Sequence, residues 1–336
     1  MSKKILMLLM IFSLLLTTVF GMGIVNAQED PVKMVFIPKN TGNPFFDAII
    51  KGYEEAAKEI NIDFETVAPS EPTATAQIPF IKAQIQRGVD VIGIVPNSPD
   101  ALNPVLEQAM KRGIKVLIVN SDITGSEEYR DAAILPTDFD IVGQHQIELM
   151  GSLVNYKGDI AILSATTDAP DQNYWIKGMK ESIKKPKYKD MEIVEVAYGD
   201  DEPQKSSTET EALLTKYPEL RGIIAPTTVG VAAAAQVVET AGKADQVEVT
   251  GLGTPNQMRR FIKNGTVEKF SLWDPRRVGY VSAFLGYQMV KDGLTPKEGV
   301  NFETPKYGEC TFREKRVVIA GPPLVFDESN IDDYDF

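Results

Sequence analysis

Lys39-Asn40-Thr41-Gly42-Asn43-Pro44-Phe45-Phe46 gathers a cation, amides and two adjacent aromatic rings in one short stretch. That mixture suits a polyol, whose hydroxyls need directional partners and whose C–H face lies well against an aromatic ring. Phe45 and Phe46 read equally well as core residues of the helix that follows. A second stretch, Thr166 to Trp175, sets Asp171 beside Gln172, acceptors and an amide suited to neighbouring hydroxyls, although aspartate is also a favoured helix cap. Asn97, in Pro96-Asn97-Ser98, and Asn120, in Asn120-Ser121-Asp122, are open to ligand binding or to capping. Pro226-Thr227-Thr228 and Trp273-Asp274 complete the set, with Trp175 as a further aromatic candidate.

Catalytic patterns are sparse. The single histidine, His145, has no cysteine or second histidine near it in sequence, so neither a zinc site nor a histidine-based triad is written here. Gly251-Leu252-Gly253 lacks the third glycine of a dinucleotide loop. Asp171 and Asp274 could flank a glycosidic bond, which keeps a carboxylate-only glycosidase as a remote rival. No catalytic residue, metal or cofactor is expected.

The loops carrying these residues follow β-rich runs that alternate with amphipathic helical stretches, the pattern of parallel sheets covered by helices. Strands are predicted at 32–37, 63–67, 89–95 and 115–119, and again at 159–163, 192–197, 222–225, 248–251 and 268–273. Helices fall between them, with Gly88 and Gly113 as left-handed caps. The fold class is α/β, two Rossmann-like lobes with parallel sheets and a ligand cleft at the strands' carboxyl ends. The first crossing between lobes falls at 135–140, and a helix at 277–291 returns to the first lobe, giving a hinge of several crossings. The expected division is 28–137 plus about 275–300 for the first lobe and 138–274 plus about 301–320 for the second. The tail, 321–336, should pack near the hinge.

Lys3 and Lys4 lead into an apolar run, 5–20, ending at Val25-Asn26-Ala27. This reads as a secretory signal peptide, residues 1–27, cleaved after Ala27. Ser13, Thr17 and Thr18 interrupt the run, and it is short against the ~20 residues of a spanning helix. Cys310 is the only cysteine, so no lipid-anchoring thiol sits at the cleavage site and no internal disulfide can form. The expected location is the periplasm or the extracellular space. Of 336 residues, 43 % are apolar, enough for a large core, and the net charge of −12 argues against nucleic acid or an anionic membrane as partner. Outside the cytoplasm little ATP or nicotinamide is available, which favours binding and transport over metabolic catalysis.

Taken in order, the loops resemble those of the extracytoplasmic substrate-binding proteins of carbohydrate ABC transporters. The likeness is to the ribose-binding-like group, and within it to the autoinducer-2-binding and rhamnose-binding branch. Its carriers are Phe36-Ile37-Pro38-Lys39, Asn43-Pro44-Phe45-Phe46, Asp171-Gln172-Asn173, Ala225-Pro226-Thr227-Thr228-Val229-Gly230, Thr254-Pro255-Asn256, Leu272-Trp273-Asp274 and the closing 330–336. The resemblance implies a periplasmic binding protein type I fold, a monomer that encloses a small carbohydrate or autoinducer-2 between its lobes and delivers it to ABC permease subunits. It also implies that Lys39, Asp171, Gln172 and Pro226 occupy positions that contact autoinducer-2. Asn120 stands where those receptors carry aspartate and Thr228 where they carry alanine, and Pro-Thr-Thr-Val-Gly looks more like the rhamnose-binding members. In the expected site Lys39, Asn43, Asn97, Asn120, Asp171, Gln172, Thr228 and Asp274 bond hydroxyls. Phe45, Phe46, Trp175 and Trp273 supply apolar faces, and Pro226 offers its carbonyl. A sensor subunit for a membrane receptor is the alternative. A repressor would need a DNA-binding module where the signal peptide stands.

Overall fold

The computed structural model describes residues 30–336, so the signal peptide read from 1–27 lies outside the described residues. The first sheet has six strands in the order β13-β5-β4-β3-β1-β2, all parallel. These are β1 (Val32–Ile37), β2 (Ile62–Thr66), β3 (Val91–Ile94), β4 (Lys115–Val119), β5 (Ala132–Leu135) and β13 (Val317–Ile319). Alternation along β1 explains how it is covered on both faces. Met34 and Phe36 pack with α1 (Pro44–Ala56) and α9 (Pro275–Lys291), while Val35 and Ile37 pack with α2 (Ala74–Arg87) and α3 (Asn103–Lys111). Gly88 (φ 65°) and Gly113 (φ 82°) take the left-handed conformation just past α2 and α3.

The second sheet repeats the theme with four parallel strands, β7-β6-β8-β9. They are β6 (Gly158–Ser164), β7 (Met191–Tyr198), β8 (Gly222–Ala225) and β9 (Glu248–Gly251). Helices α4 (Phe139–Leu153), α5 (Pro170–Ser182), α6 (Pro203–Lys216), α7 (Thr228–Thr240) and α8 (Pro255–Lys263) complete this lobe. A bridge from Leu252 to Ser271 extends the sheet to β10 (Phe270–Leu272), which pairs antiparallel with β14 (Leu324–Phe326). In both sheets the order reverses beside the first strand, between β1 and β3 and between β6 and β8. These are the points where α/β sheets open a crevice for ligands.

The chain crosses between lobes at 136–138, 273–274 and 320–323. The first and third crossings are hydrogen-bonded to each other, Ala320 N–H to the Leu135 carbonyl (2.7 Å) and Gly321 N–H to that of Pro136 (3.0 Å). One boundary expectation is corrected. The sequence places 301–320 with the second lobe, but β13 pairs with β5 at the edge of the first sheet. The hairpin of β11 (Asn301–Thr304) and β12 (Gly308–Thr311) sets Tyr307 against Tyr280 of α9 (ring centroids 5.3 Å). The pattern of the chain does not reveal this because β13 is a three-residue strand and its partner strand β5 is an alanine-rich run that carries little β signal of its own. The tail lies on the second lobe: Asn256 N–H donates to the Phe336 carbonyl (3.1 Å), and the Phe336 ring sits 5.0 Å from the guanidinium of Arg276 beside the second crossing.

Each lobe fixes one helix pair by glycine contact. A methyl added at Gly279 of α9 would lie 2.0 Å from the Ile49 carbonyl oxygen of α1, and one at Gly52 would lie 2.0 Å from that of Arg276. Gly143 of α4 meets Gly178 of α5 in the same way. Gly279→Ala is expected to lower stability by about 1–3 kcal/mol, the usual cost of overpacking, read from urea denaturation; an unchanged midpoint would show that the helices can part. His145, on α4, is half-buried, and its Nε2 has no protein partner. Burial holds its imidazole below the usual range, with Glu148 opposing. The unfolded chain therefore binds this proton more readily, so the stability is fully present above the unfolded pKa and is lost as pH falls from there through the lower folded pKa. From about pH 7.5 to about pH 5.5, which spans the ordinary histidine pKa, the urea midpoint should fall less steeply in His145→Gln than in the parent.

Candidate functional site

Strand-end loops of both lobes converge on one cavity. From the first lobe, the turn after β1 supplies Lys39, Asn43, Phe45 and Phe46, and the end of β4 supplies Asn120. From the second, the start of α5, which follows β6, supplies Asp171, Gln172 and Trp175, and the loop after β7 supplies Asp201. The loop after β8 gives Pro226, Thr227 and Thr228, β9 leads to Leu252, and β10 ends in Leu272 and Trp273. Local geometry sets several of these. Asn43 caps α1 by accepting from Phe45 N–H (3.0 Å) and receives the Thr228 hydroxyl from the other lobe (3.1 Å). Asp171 and Thr228 lie in the first turns of α5 and α7, where the helix amino end favours acceptors.

The strongest polar contact spans the cleft. Lys39 Nζ lies 2.7 Å from Asp171 Oδ1 and donates to Gln172 Oε1 at 3.1 Å, with Lys39 3 % and Asp171 2 % exposed. Removing two charges from water is costly, and only close geometry with further hydrogen bonds offsets it. The Gln172 amide in turn donates to the Pro226 carbonyl (3.4 Å). The same cavity carries an aromatic cluster: Phe45 meets Trp273 edge-on (centroids 6.4 Å), Trp273 meets Trp175 (5.5 Å), and Phe139 backs Trp175 (5.0 Å). Trp175 Nε1, Trp273 Nε1 and Asn120 Oδ1 are buried with no protein partner. Buried polar atoms are nearly always satisfied, so the cavity walls hold donors and an acceptor fitted to a polar guest.

All the sequence-predicted site residues line this cavity except Asn97 and Asp274. Asn97 supports it from behind: its Nδ2 donates to the Lys39 carbonyl (2.9 Å), and its N–H donates to Gln77 Oε1 (2.9 Å). Asp274 caps α9, accepting from Arg276 N–H (3.0 Å), and pairs with the Arg276 guanidinium (2.8 Å). Its side chain serves the second crossing. Phe45 and Phe46 are both buried in α1 and both at the cavity, so the two readings of that pair hold at once.

Sequence reasoning missed Thr227, Leu252, Leu272 and, most of all, Asp201. This last residue is buried, accepts a hydrogen bond from the Thr227 hydroxyl, and has a carboxyl held above its ordinary range by desolvation, with Lys39 opposing and Asp171 and Asp200 reinforcing. The available signal was its place directly after a predicted strand, in Gly199-Asp200-Asp201.

Residues 34–294 match the family described as Periplasmic binding protein domain. The chain is 40 % identical to a sugar ABC transporter structure from Actinomyces odontolyticus, covering 90 % of this chain and 97 % of that one with a TM-score of 0.73. It is 32 % identical to an ABC transporter solute binding protein from Clostridium phytofermentas with bound L-rhamnose, covering 90 % and 98 % with a TM-score of 0.86. LsrB from Clostridium saccharobutylicum in complex with AI-2 shares the fold at a TM-score of 0.85 and 21 % identity, covering 91 % and 100 %. With a match over most of its length and a cleft assembled from both lobes, the chain belongs to the periplasmic binding protein domain family.

Proposed function

We propose that the protein is an exported, non-catalytic receptor that encloses one small neutral sugar or sugar-like polyol between its lobes and delivers it to an ABC import permease. The observation that carries this reading is the cavity itself, whose lining combines a buried hydrogen-bonding network, aromatic rings and three buried polar atoms without a protein partner. Hydroxyl donors and acceptors meet the first, C–H faces meet the second. Lys39, Asn43, Asn120, Asp171, Gln172 and Thr228 serve as hydrogen-bonding groups, and Phe45, Phe46, Trp175 and Trp273 as apolar faces. L-rhamnose is the first probe because a relative 32 % identical to this chain holds it. Autoinducer-2 is the second, on the strength of the residue likeness at Lys39, Asp171, Gln172 and Pro226.

A thermal-shift screen of residues 28–336 against L-rhamnose, pentoses, hexoses and autoinducer-2 with and without borate tests this reading. A ligand at ~100 times its Kd stabilises the fold by ~2.7 kcal/mol, a readily resolved shift; silence across the panel would remove the polyol reading. For the ligand found, Asp171→Ala should weaken binding by roughly 10- to 150-fold, the scale of a hydrogen bond to a charged group, and full retained affinity would refute the site. Solution scattering should show the protein contract on saturation, and an unchanged profile would argue against hinge closure.

A further inference from the structure

Gln77 does not line the cavity, yet it is fully buried one turn into α2, an unusual place for a glutamine. Both ends of its amide are used. Nε2 donates to the carbonyls of Pro38 (3.1 Å) and Val95 (2.8 Å), and Oε1 accepts from Asn97 N–H (2.9 Å). These backbone groups lie just past the ends of β1 and β3. The two strands pair as far as Ile37 and Ile94, and Val95 N–H still reaches the Ile37 carbonyl (2.9 Å). Pro38 has no N–H with which to continue the ladder, so Gln77 supplies partners where the sheet stops. Asn97 completes the set: held by Gln77 at its own N–H, it donates from Nδ2 to the Lys39 carbonyl (2.9 Å). The carbonyls before and after the Lys39 Cα are thereby fixed by two buried side chains, neither of which lines the cavity.

We propose that Gln77 is a positioning residue: through Pro38 and Asn97 it fixes the Lys39 backbone so that the ammonium meets Asp171 and Gln172 across the cleft, and it thereby sets how tightly the cleft holds its ligand. The inference rests on the polyol reading and adds to it a residue outside the cavity. Lysine carries its charge on a flexible stem, so the place of the ammonium depends on where the backbone anchors that stem. Precision matters here, because the buried contacts of Lys39 with Asp171 (2.7 Å) and Gln172 (3.1 Å) offset the loss of hydration only at close geometry. A backbone free to shift would leave the two charges desolvated and poorly matched.

The test is calorimetry with L-rhamnose, or with the neutral sugar that the thermal-shift screen selects, on the parent, Gln77→Met and Asn97→Ala. Each variant is first shown to unfold cooperatively, and each substitution is repeated in a Lys39→Met background. In the parent background both are expected to weaken the sugar by about tenfold, the scale of a lost hydrogen bond. In the Lys39→Met background the loss should shrink to within about twofold, the error of additivity. Equal losses in both backgrounds would mark a general support of the lobe and overturn the inference, as would unchanged affinity in the parent background. Crystal structures of sugar-bound parent and Asn97→Ala, the milder change, give a reading that needs no Lys39 variant. The Lys39 ammonium should shift by more than about 0.5 Å, the tolerance of a preorganised site; an unmoved lysine overturns the inference and leaves the polyol reading in place. If no sugar binds the parent, the polyol reading fails and this inference fails with it.

Discussion

The arrangement depends on one ion pair placed where water is scarce. Lys39 belongs to the first lobe and Asp171 to the second, so their 2.7 Å contact exists only while the lobes are together. Opening returns both charges to water, and closing strips water from both, a trade that buried ion pairs seldom win by themselves. The surrounding groups shift that balance. Gln172 shares the ammonium, Asn97 fixes the backbone of Lys39, and the amino end of α5 supports Asp171. A hydroxyl-bearing guest would add partners at the same place, so closure and recognition draw on the same contacts and a ligand favours the closed population by its differential affinity for it.

Much of this was legible in the sequence because the site is built from strand ends. Alternating β-rich and amphipathic runs place the loops, and the loops hold the unusual side chains. Lys39, Asp171 and Gln172 could be named without coordinates for that reason, and Pro226 through the family resemblance. Asn97 and Asp274 could not be separated from them, since an amide or carboxylate after a strand looks the same in sequence whether it faces a cavity, a neighbouring carbonyl or a helix amino end. Asp201 was hidden differently. Its loop reads as an acidic turn, and only the left-handed backbone at 200 and 201 shows that the turn brings a carboxyl to the cavity wall. The strands β5 and β13 escaped notice because an alanine-rich run and a three-residue strand gain their stability from pairing rather than propensity.

The crossings between the lobes are tied by their own hydrogen bonds. Two of the three run side by side with paired backbone groups, and the other passes straight into the amino end of α9, where Asp274 and Arg276 tie the turn. These are the short segments about which the proposed opening and shutting of the cleft would turn. The glycine contacts inside each lobe keep their helix pairs rigid, which lets small changes at the crossings appear as movement of whole lobes.

The first lobe is assembled from both ends of the chain. Its edge strand β13 and its covering helix α9 come after every strand of the second sheet, and β13 finds its place beside β5 only once residue 319 has been made. During synthesis from the amino end, therefore, the first sheet emerges early, without its edge strand and without one of the helices that cover its face. Pairings so distant in sequence are slow to form because the loop must close before the contact rewards it. The connectivity that gives the mature protein its crossings also keeps the first lobe incomplete until most of the chain has been made.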